Sequence, residues 1–309
     1  MRYLAGLTAV LALALAVSAE AQRPAAPRPR AAAPTPTAAP TPMPKPKEAV
    51  VPFATGETLT YDVSWSGLLT AGTAVTRVVQ KRPSYGGTAF EITADGRPMP
   101  LLARIYPVYY KMDTLLDSTS LLSQWTGLYT EERARKRQTS MHFDRGTQVV
   151  HYEMTTEPAA KADVSTVAGV QDGLSLLYAI RTHAFRAGER FTVPVADDGS
   201  LYTVSFETTG PEVVAVKLGA IEAWSLKVTI LDAQQQPAGK NIALWISTDA
   251  RHLPVKIQAD LPVGSFVLSL RDAQSRENHA QRRTVRVRGR AHRLALIDDG
   301  RRRRAPRRR

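Results

Sequence analysis

Between Phe53 and Asp272, apolar residues recur at every second position and not at every third or fourth. Leu59, Tyr61, Val63 and Trp65 alternate with Thr60, Asp62 and Ser64. The same period runs through Phe90, Ile92 and Ala94; Val108, Tyr110 and Met112; Trp224, Leu226, Val228 and Ile230; Ile242, Leu244 and Ile246; and Phe266, Leu268 and Leu270. Period two places successive side chains on opposite faces of a pleated strand. Turn-forming clusters separate the runs, among them Pro83-Ser84-Tyr85-Gly86-Gly87, Asp144-Arg145-Gly146, Asp197-Asp198-Gly199 and Gln236-Pro237-Ala238-Gly239. About a dozen short strands at such spacing predict a mainly β fold: an antiparallel twisted sheet or open barrel, one face buried and one wet.

One segment breaks the period. From Val170 to Arg186, the residues Leu174, Leu177, Tyr178 and Arg181 step by three and four behind Asp172, a natural N-cap, which predicts one central helix over about 170–186. It divides the strands into two sets, opened by Gly56-Glu57-Thr58-Leu59-Thr60 and by Gly188-Glu189-Arg190-Phe191-Thr192. The likeness raises an internal duplication, although Gly-Glu ahead of a strand is a common start.

The flanks change the picture of where such a domain works. Residues 1–21 read as a cleavable secretory signal, with Arg2, an apolar run from Leu4 to Val17, and Ala19-Glu20-Ala21. The run is too short to span a bilayer, so cleavage after Ala21 and a soluble periplasmic product are expected. Residues 22–50 hold nine of the chain's 21 prolines and predict an extended linker. A β-rich domain is then expected over 51–275 and an Arg-rich, disordered tail over 276–309.

Thirteen Arg against two Asp give residues 282–309 a net charge of +11, and residues 22–50 carry +4. The whole chain is +13, which leaves residues 51–281 at −2. The basic balance therefore belongs to the two ends, and nucleic acid is not an expected partner of an exported domain. Arg301, Arg302, Arg303, Arg304, Arg307, Arg308 and Arg309 are candidate contacts to an anionic membrane surface. The absence of cysteine excludes disulfides, thiolate nucleophiles and Cys-ligated metals. A domain of about 225 residues buries enough apolar surface without such staples.

Gly56-Glu57 with Tyr61 and Gly72, then Asp172-Gly-Leu-Ser175-Leu-Leu-Tyr178-Ala-Ile-Arg181, Leu218-Gly219, Trp245-Ile-Ser-Thr-Asp249 and Leu253-Pro254-Val255 together resemble the exported bacterial family called domain of unknown function 3108. The resemblance covers about residues 53–272, and its most specific element is the central Asp-x-x-Ser-x-x-Tyr-x-x-Arg pattern. It implies a β-rich envelope protein with no assigned activity, and it carries over no catalytic residue.

Asp172, Ser175, Tyr178 and Arg181 step by three along one side of the predicted helix and could bind a ligand at the mouth of a groove. The structural alternative has Asp172 capping the helix, Tyr178 packed on the sheet with its hydroxyl bonded, and Arg181 joined to a carboxylate. Arg133, Arg135 and Arg137 would line one strand face and could bind phosphate or carboxylate groups; a charge-guarded sheet edge explains them too. His142 and His151 are expected as diagonal cross-strand neighbours, short of the three or four ligands that a metal needs.

No phosphate-binding glycine loop, HExxH pattern or paired catalytic carboxylates occurs, so neither a cofactor nor a metal is expected. Gly173-Leu-Ser175 lacks the second glycine of a nucleophile elbow. The expectation is a non-enzymatic binder of a lipid or an envelope partner. The alternatives are a hydrolase acting on envelope material, with Asp172, Ser175 and His183 as its candidates, or a scaffold and assembly factor that presents strand edges.

Overall fold

The computed structural model describes residues 47–275, apart from 68, 69, 106, 262 and 263. The signal pattern, the linker up to residue 46 and the Arg-rich tail lie outside the described residues. Fourteen strands form one antiparallel open sheet: β1 (Thr58–Trp65), β2 (Gly72–Ser84), β3 (Gly87–Pro98), β4 (Val108–Asp117), β5 (Ser123–Glu132), β6 (Arg135–Asp144), β7 (Val149–Met154), β8 (Ala160–Ser165), β9 (Arg190–Asp197), β10 (Ser200–Val216), β11 (Gly219–Leu231), β12 (Lys240–Ser247), β13 (Pro254–Leu261) and β14 (Gly264–Gln274). Two short helices interrupt them, α1 (Pro100–Ile105) and α2 (Gly173–Ala179).

The sheet order is β8-β7-β6-β5-β4-β3-β2-β1-β14-β13-β12-β11-β10-β9. The first and last strands thus pair at the centre, Val63 opposite Leu268, while β8 and β9, consecutive in the chain, form the two edges. Two meanders meet along β1 and β14. The alternation read from the sequence sets which face is inside: Phe90, Ile92 and Ala94 of β3 and Ile242, Leu244 and Ile246 of β12 are all buried.

The edges approach one another through side chains. Met141, Phe143 and Tyr152 of β6 and β7 cluster with Val170 and with Ala196 of β9. Arg137 Nη2 lies 2.6 and 2.7 Å from the two carboxylate oxygens of Asp198, in the β9–β10 turn, and the Tyr152 hydroxyl donates to Asp198 at 3.0 Å. Partial burial, then the Asp198 charge, pushes the Tyr152 phenol up to about 12.

The central helix is shorter than the expected span of 170–186. Gln171 is still extended and bridges to β9, its amide donating to Pro194 O and its carbonyl accepting from Ala196 N. Only at Asp172 does the chain turn, its carboxylate accepting from the amides of Leu174 and Ser175, both at 2.9 Å. After Ala179 the helix tightens into a 3-10 turn, Ile180–Thr182, and His183 is extended again.

Two pairs at helical spacing face different halves of the sheet. Leu174 and Tyr178 pack with Val78, Phe90, Ile92 and Met112, whereas Leu176 and Ile180 pack with Val195, Phe206, Leu226 and Leu244. Each large apolar side chain buried in this way contributes about 1.5–3 kcal/mol. The helix therefore joins two meanders whose described strands pair with one another only along β1 and β14.

Candidate functional site: two strand arches and an apolar cleft

The structure brings Asp172, Ser175, Tyr178 and Arg181 together inside the core, each no more than 1% exposed. Thr114 of β4 donates its hydroxyl to Asp172 Oδ2 at 2.7 Å and lies 2.8 Å from Ser175 Oγ. Ser123 Oγ accepts the Asp172 amide at 2.7 Å and donates to Gln171 Oε1. The row is thus the internal seat of α2, and Ser175 faces Thr114 instead of a histidine. The Tyr178 hydroxyl donates to Thr76 Oγ1 at 3.0 Å, and burial, then the Glu57 charge, raises this phenol above its ordinary range.

Arg181 is the largest fully buried side chain of the described residues. Its Nη1 and Nη2 grip the Glu57 carboxylate at 2.6 and 2.9 Å, a bidentate pair of the strong charge-assisted kind. Nε donates to His252 O at 3.1 Å and Nη2 to Arg251 O at 3.0 Å, while the rings of Phe53 and Tyr178 lie 5.3 and 5.2 Å from the guanidinium carbon. Burial would lower its pKa, but the hydrogen bonds and charge of Glu57 outweigh that and raise it.

Glu57 sits in an arch that the chain builds twice. Gly56, at a positive φ of 90°, donates its amide to Val78 O; Glu57 N donates to Ala54 O, and Val78 N returns a bond to Glu57 O. Gly188, at φ 77°, donates to Thr208 O; Glu189 N donates to Arg186 O, and Thr208 N returns a bond to Glu189 O. Each arch has a buried phenylalanine three residues before its glycine, Phe53 and Phe185. The duplication raised by the Gly-Glu sequences is therefore matched bond for bond in the backbone. The side-chain partners come from one segment after α2: Arg181 serves Glu57, and His183 Nε2 lies 3.1 Å from Glu189 Oε1.

Beside the second arch lies an apolar cleft between α2 and β10–β13. It is lined by Leu176, Leu177, Ile180, Phe206, Leu244 and Ile257 among others, with no polar or charged side chain, and has room of about 40 Å³ for a water-sized molecule. The sequence pattern marked Leu244 as inward by alternation and Leu177 by helical spacing; nothing in it distinguishes a filled interior from one with a gap.

Two sequence expectations are corrected. Arg133, Arg135 and Arg137 do not share a strand face, because Arg133 and Ala134 form the turn between β5 and β6, with Arg133 at φ 56°. Arg135 is exposed and Arg137 is tied to Asp198. His142 and His151 stand directly opposite and not diagonally, since the β6–β7 turn spans four residues and ends on Gln148 at φ 54°, shifting the register. Their rings are 6.1 Å apart and His151 Nδ1 is 2.7 Å from Asp163 Oδ1. Among the described residues no three His, Cys, Asp or Glu side chains are grouped to hold a metal ion.

A family model described as "Protein of unknown function (DUF3108)" matches residues 60–271. No curated protein matches. Among solved structures, a β-barrel-like DUF1849 protein from Brucella abortus is 10% identical with a TM-score of 0.48, covering 71% of this chain and 97% of that one. A candidate exported protein with a YmcC-like fold from Bacteroides fragilis is 10% identical with a TM-score of 0.30, over 74% of this chain and all of that one. A candidate lipoprotein from Parabacteroides distasonis is 8% identical, also with a TM-score of 0.30, over the same shares. At these scores the three likenesses carry no weight for this chain.

Proposed function

We propose that this chain, which belongs to the DUF3108 family of proteins of unknown function, is an exported, non-enzymatic protein that holds an apolar ligand such as a lipid acyl chain in the cleft between α2 and β10–β13. The cleft carries the reading. Its room for a water-sized molecule is only about 40 Å³, so a bound chain must spread the surrounding side chains. Its lining offers only methyl, methylene and ring carbon, so binding would draw on burial of apolar surface at about 25 cal/mol per Å². It presents no nucleophile or base to a bound molecule: Ser175 faces Thr114, and Asp172 is spent on the helix cap.

The leader pattern in residues 1–21 supports export. The Pro-rich linker and Arg-rich tail would keep the domain near anionic head groups of the periplasmic surface.

Titration with a fluorescent fatty acid tests the cleft. Saturable uptake is expected, and Leu177→Lys at the half-buried mouth should abolish it while the circular dichroism spectrum is retained. Absence of uptake by the unmodified protein, or equal uptake by the variant, overturns the reading.

A further inference from the structure

A meander places its turns alternately at two ends of the sheet, and the first eight strands differ sharply between those ends. At the end bearing the β2–β3, β4–β5 and β6–β7 turns, carboxylates cap the backbone: Asp117 accepts from the Thr119 and Ser120 amides, and Asp144 from those of Gly146 and Thr147. At the other end the β3–β4 connection is α1, a Pro-Leu-Leu-Ala-Arg-Ile helix with no buried residue. Leu101 is 69% exposed, Ile105 73% and the preceding Met99 41%. Helices in folded proteins owe most of their stability to an apolar face packed on a core, and α1 has apolar residues without the packing.

Its surroundings are cationic and aromatic. The Met99 amide bonds to Ala71 O at 2.9 Å, which ties the start of α1 to the β1–β2 connection; Trp65, the last residue of β1, stacks on Phe266 and is 38% exposed. The Arg133 amide bonds to Pro107 O at 2.9 Å, which brings the β5–β6 turn and the exposed Arg135 and Lys136 beside the far end of α1. Arg104 lies in the helix's own last turn. Glu131 and Glu132 stand opposite Lys136 and Arg135 across the β5–β6 ladder and accept from the Tyr129 and Tyr110 hydroxyls; they offset part of the positive charge, and Arg104 and Arg133 keep the balance basic.

Exposed Leu, Ile, Met and Trp rimmed by Arg and Lys have the composition of a segment that lies in a membrane interface. We infer that this end of the sheet is a docking tip for an anionic lipid surface, with α1 and Trp65 entering the acyl boundary and Arg104, Arg135 and Lys136 meeting the head groups. The charge match favours lipid over an apolar protein groove. It also gives the domain a contact with a bilayer separate from the Arg-rich tail, whose purely ionic attraction fails as salt rises. The inference stands apart from the cleft.

The full chain contains no cysteine, so a single one can be introduced and labelled with an environment-sensitive nitrobenzoxadiazole probe. With phosphatidylglycerol-containing vesicles, Leu101→Cys should show a blue shift and a several-fold rise in emission, while Thr119→Cys at the opposite end should not. Phosphatidylcholine vesicles should give little response. At 0.5 M NaCl, Leu101→Asp/Ile105→Asp should lower vesicle affinity about tenfold or more, since two apolar insertions are lost.

Co-sedimentation without a shift at position 101, which is binding by the tail alone, overturns the inference. So does an equal shift at both labels, or a shift without vesicles that scales with protein concentration, which would mean a protein covering. Leu177→Lys should leave the label at position 101 unaffected, so failure of the cleft reading and failure of the tip are read separately.

Discussion

The two arches share a backbone and differ in what they surround. In the first, the Glu57 side chain is 8% exposed and its partner Arg181 is 0% exposed; in the second, Glu189 and His183 are 29% and 32% exposed. One backbone pattern thus supports an ion pair in the interior and a histidine–carboxylate contact nearer the surface. The difference follows from position. Glu57 opens β1, which lies mid-sheet against β14 and β2, whereas Glu189 opens β9, an edge. The backbone arch is therefore indifferent to the charge, and the energetic weight of each pair is set by its surroundings.

The largest effect should come from breaking the interior pair. Arg181→Met leaves a buried carboxylate uncompensated and takes donors from the carbonyls of Arg251 and His252, so it should cost about 3–5 kcal/mol in urea unfolding. Burying two charges is itself expensive, so Glu57→Gln with Arg181→Met should recover part of that loss. If the double variant is as unstable as the sum of the single ones, the pair is not coupled as the geometry requires.

A gain of intermediate size is expected from making the arches more alike. Val78 and Thr208 exchange the same two backbone bonds with Glu57 and Glu189, and both are fully buried. The Thr208 hydroxyl has no hydrogen-bond partner among the described residues, whereas Val78 has nothing to satisfy. Thr208→Val should raise stability by about 1 kcal/mol, and Val78→Thr should lower it by about 1–3 kcal/mol. A loss on Thr208→Val would show that the hydroxyl is satisfied in solution.

How much of this was legible in the sequence varied with the range of the interaction. Ile242, Leu244 and Ile246 announce an inward strand face because a strand's period is local. Asp172 announces a cap because the amides it serves are two and three residues away. The Arg181–Glu57 pair spans 124 residues, and no local period encodes it. The turn at Arg133 and the four-residue turn ending at Gln148 were hidden for a different reason. Both use left-handed backbone at residues other than glycine, where composition gives no signal. The cleft was hidden because an apolar lining and an apolar core have the same sequence.

The smallest effect, and the one that best separates the arches, is a pH dependence. The close approach of the His183 ring, 3.1 Å from Glu189 Oε1, holds the Glu189 carboxyl below the ordinary glutamate value of 4.5. A carboxyl depressed in the folded state binds its proton more readily when unfolded. Its contribution is therefore present above about pH 4.5 and is lost as pH falls through its lowered folded value. Glu189→Gln should consequently unfold slightly earlier than the parent protein at pH 6 and indistinguishably from it near pH 3. The exposure of the site keeps the difference small, and salt should shrink it further. A gap that persists unchanged at pH 3 would mean that Glu189 acts through packing and not charge, and the two arches would then differ less than their surroundings suggest.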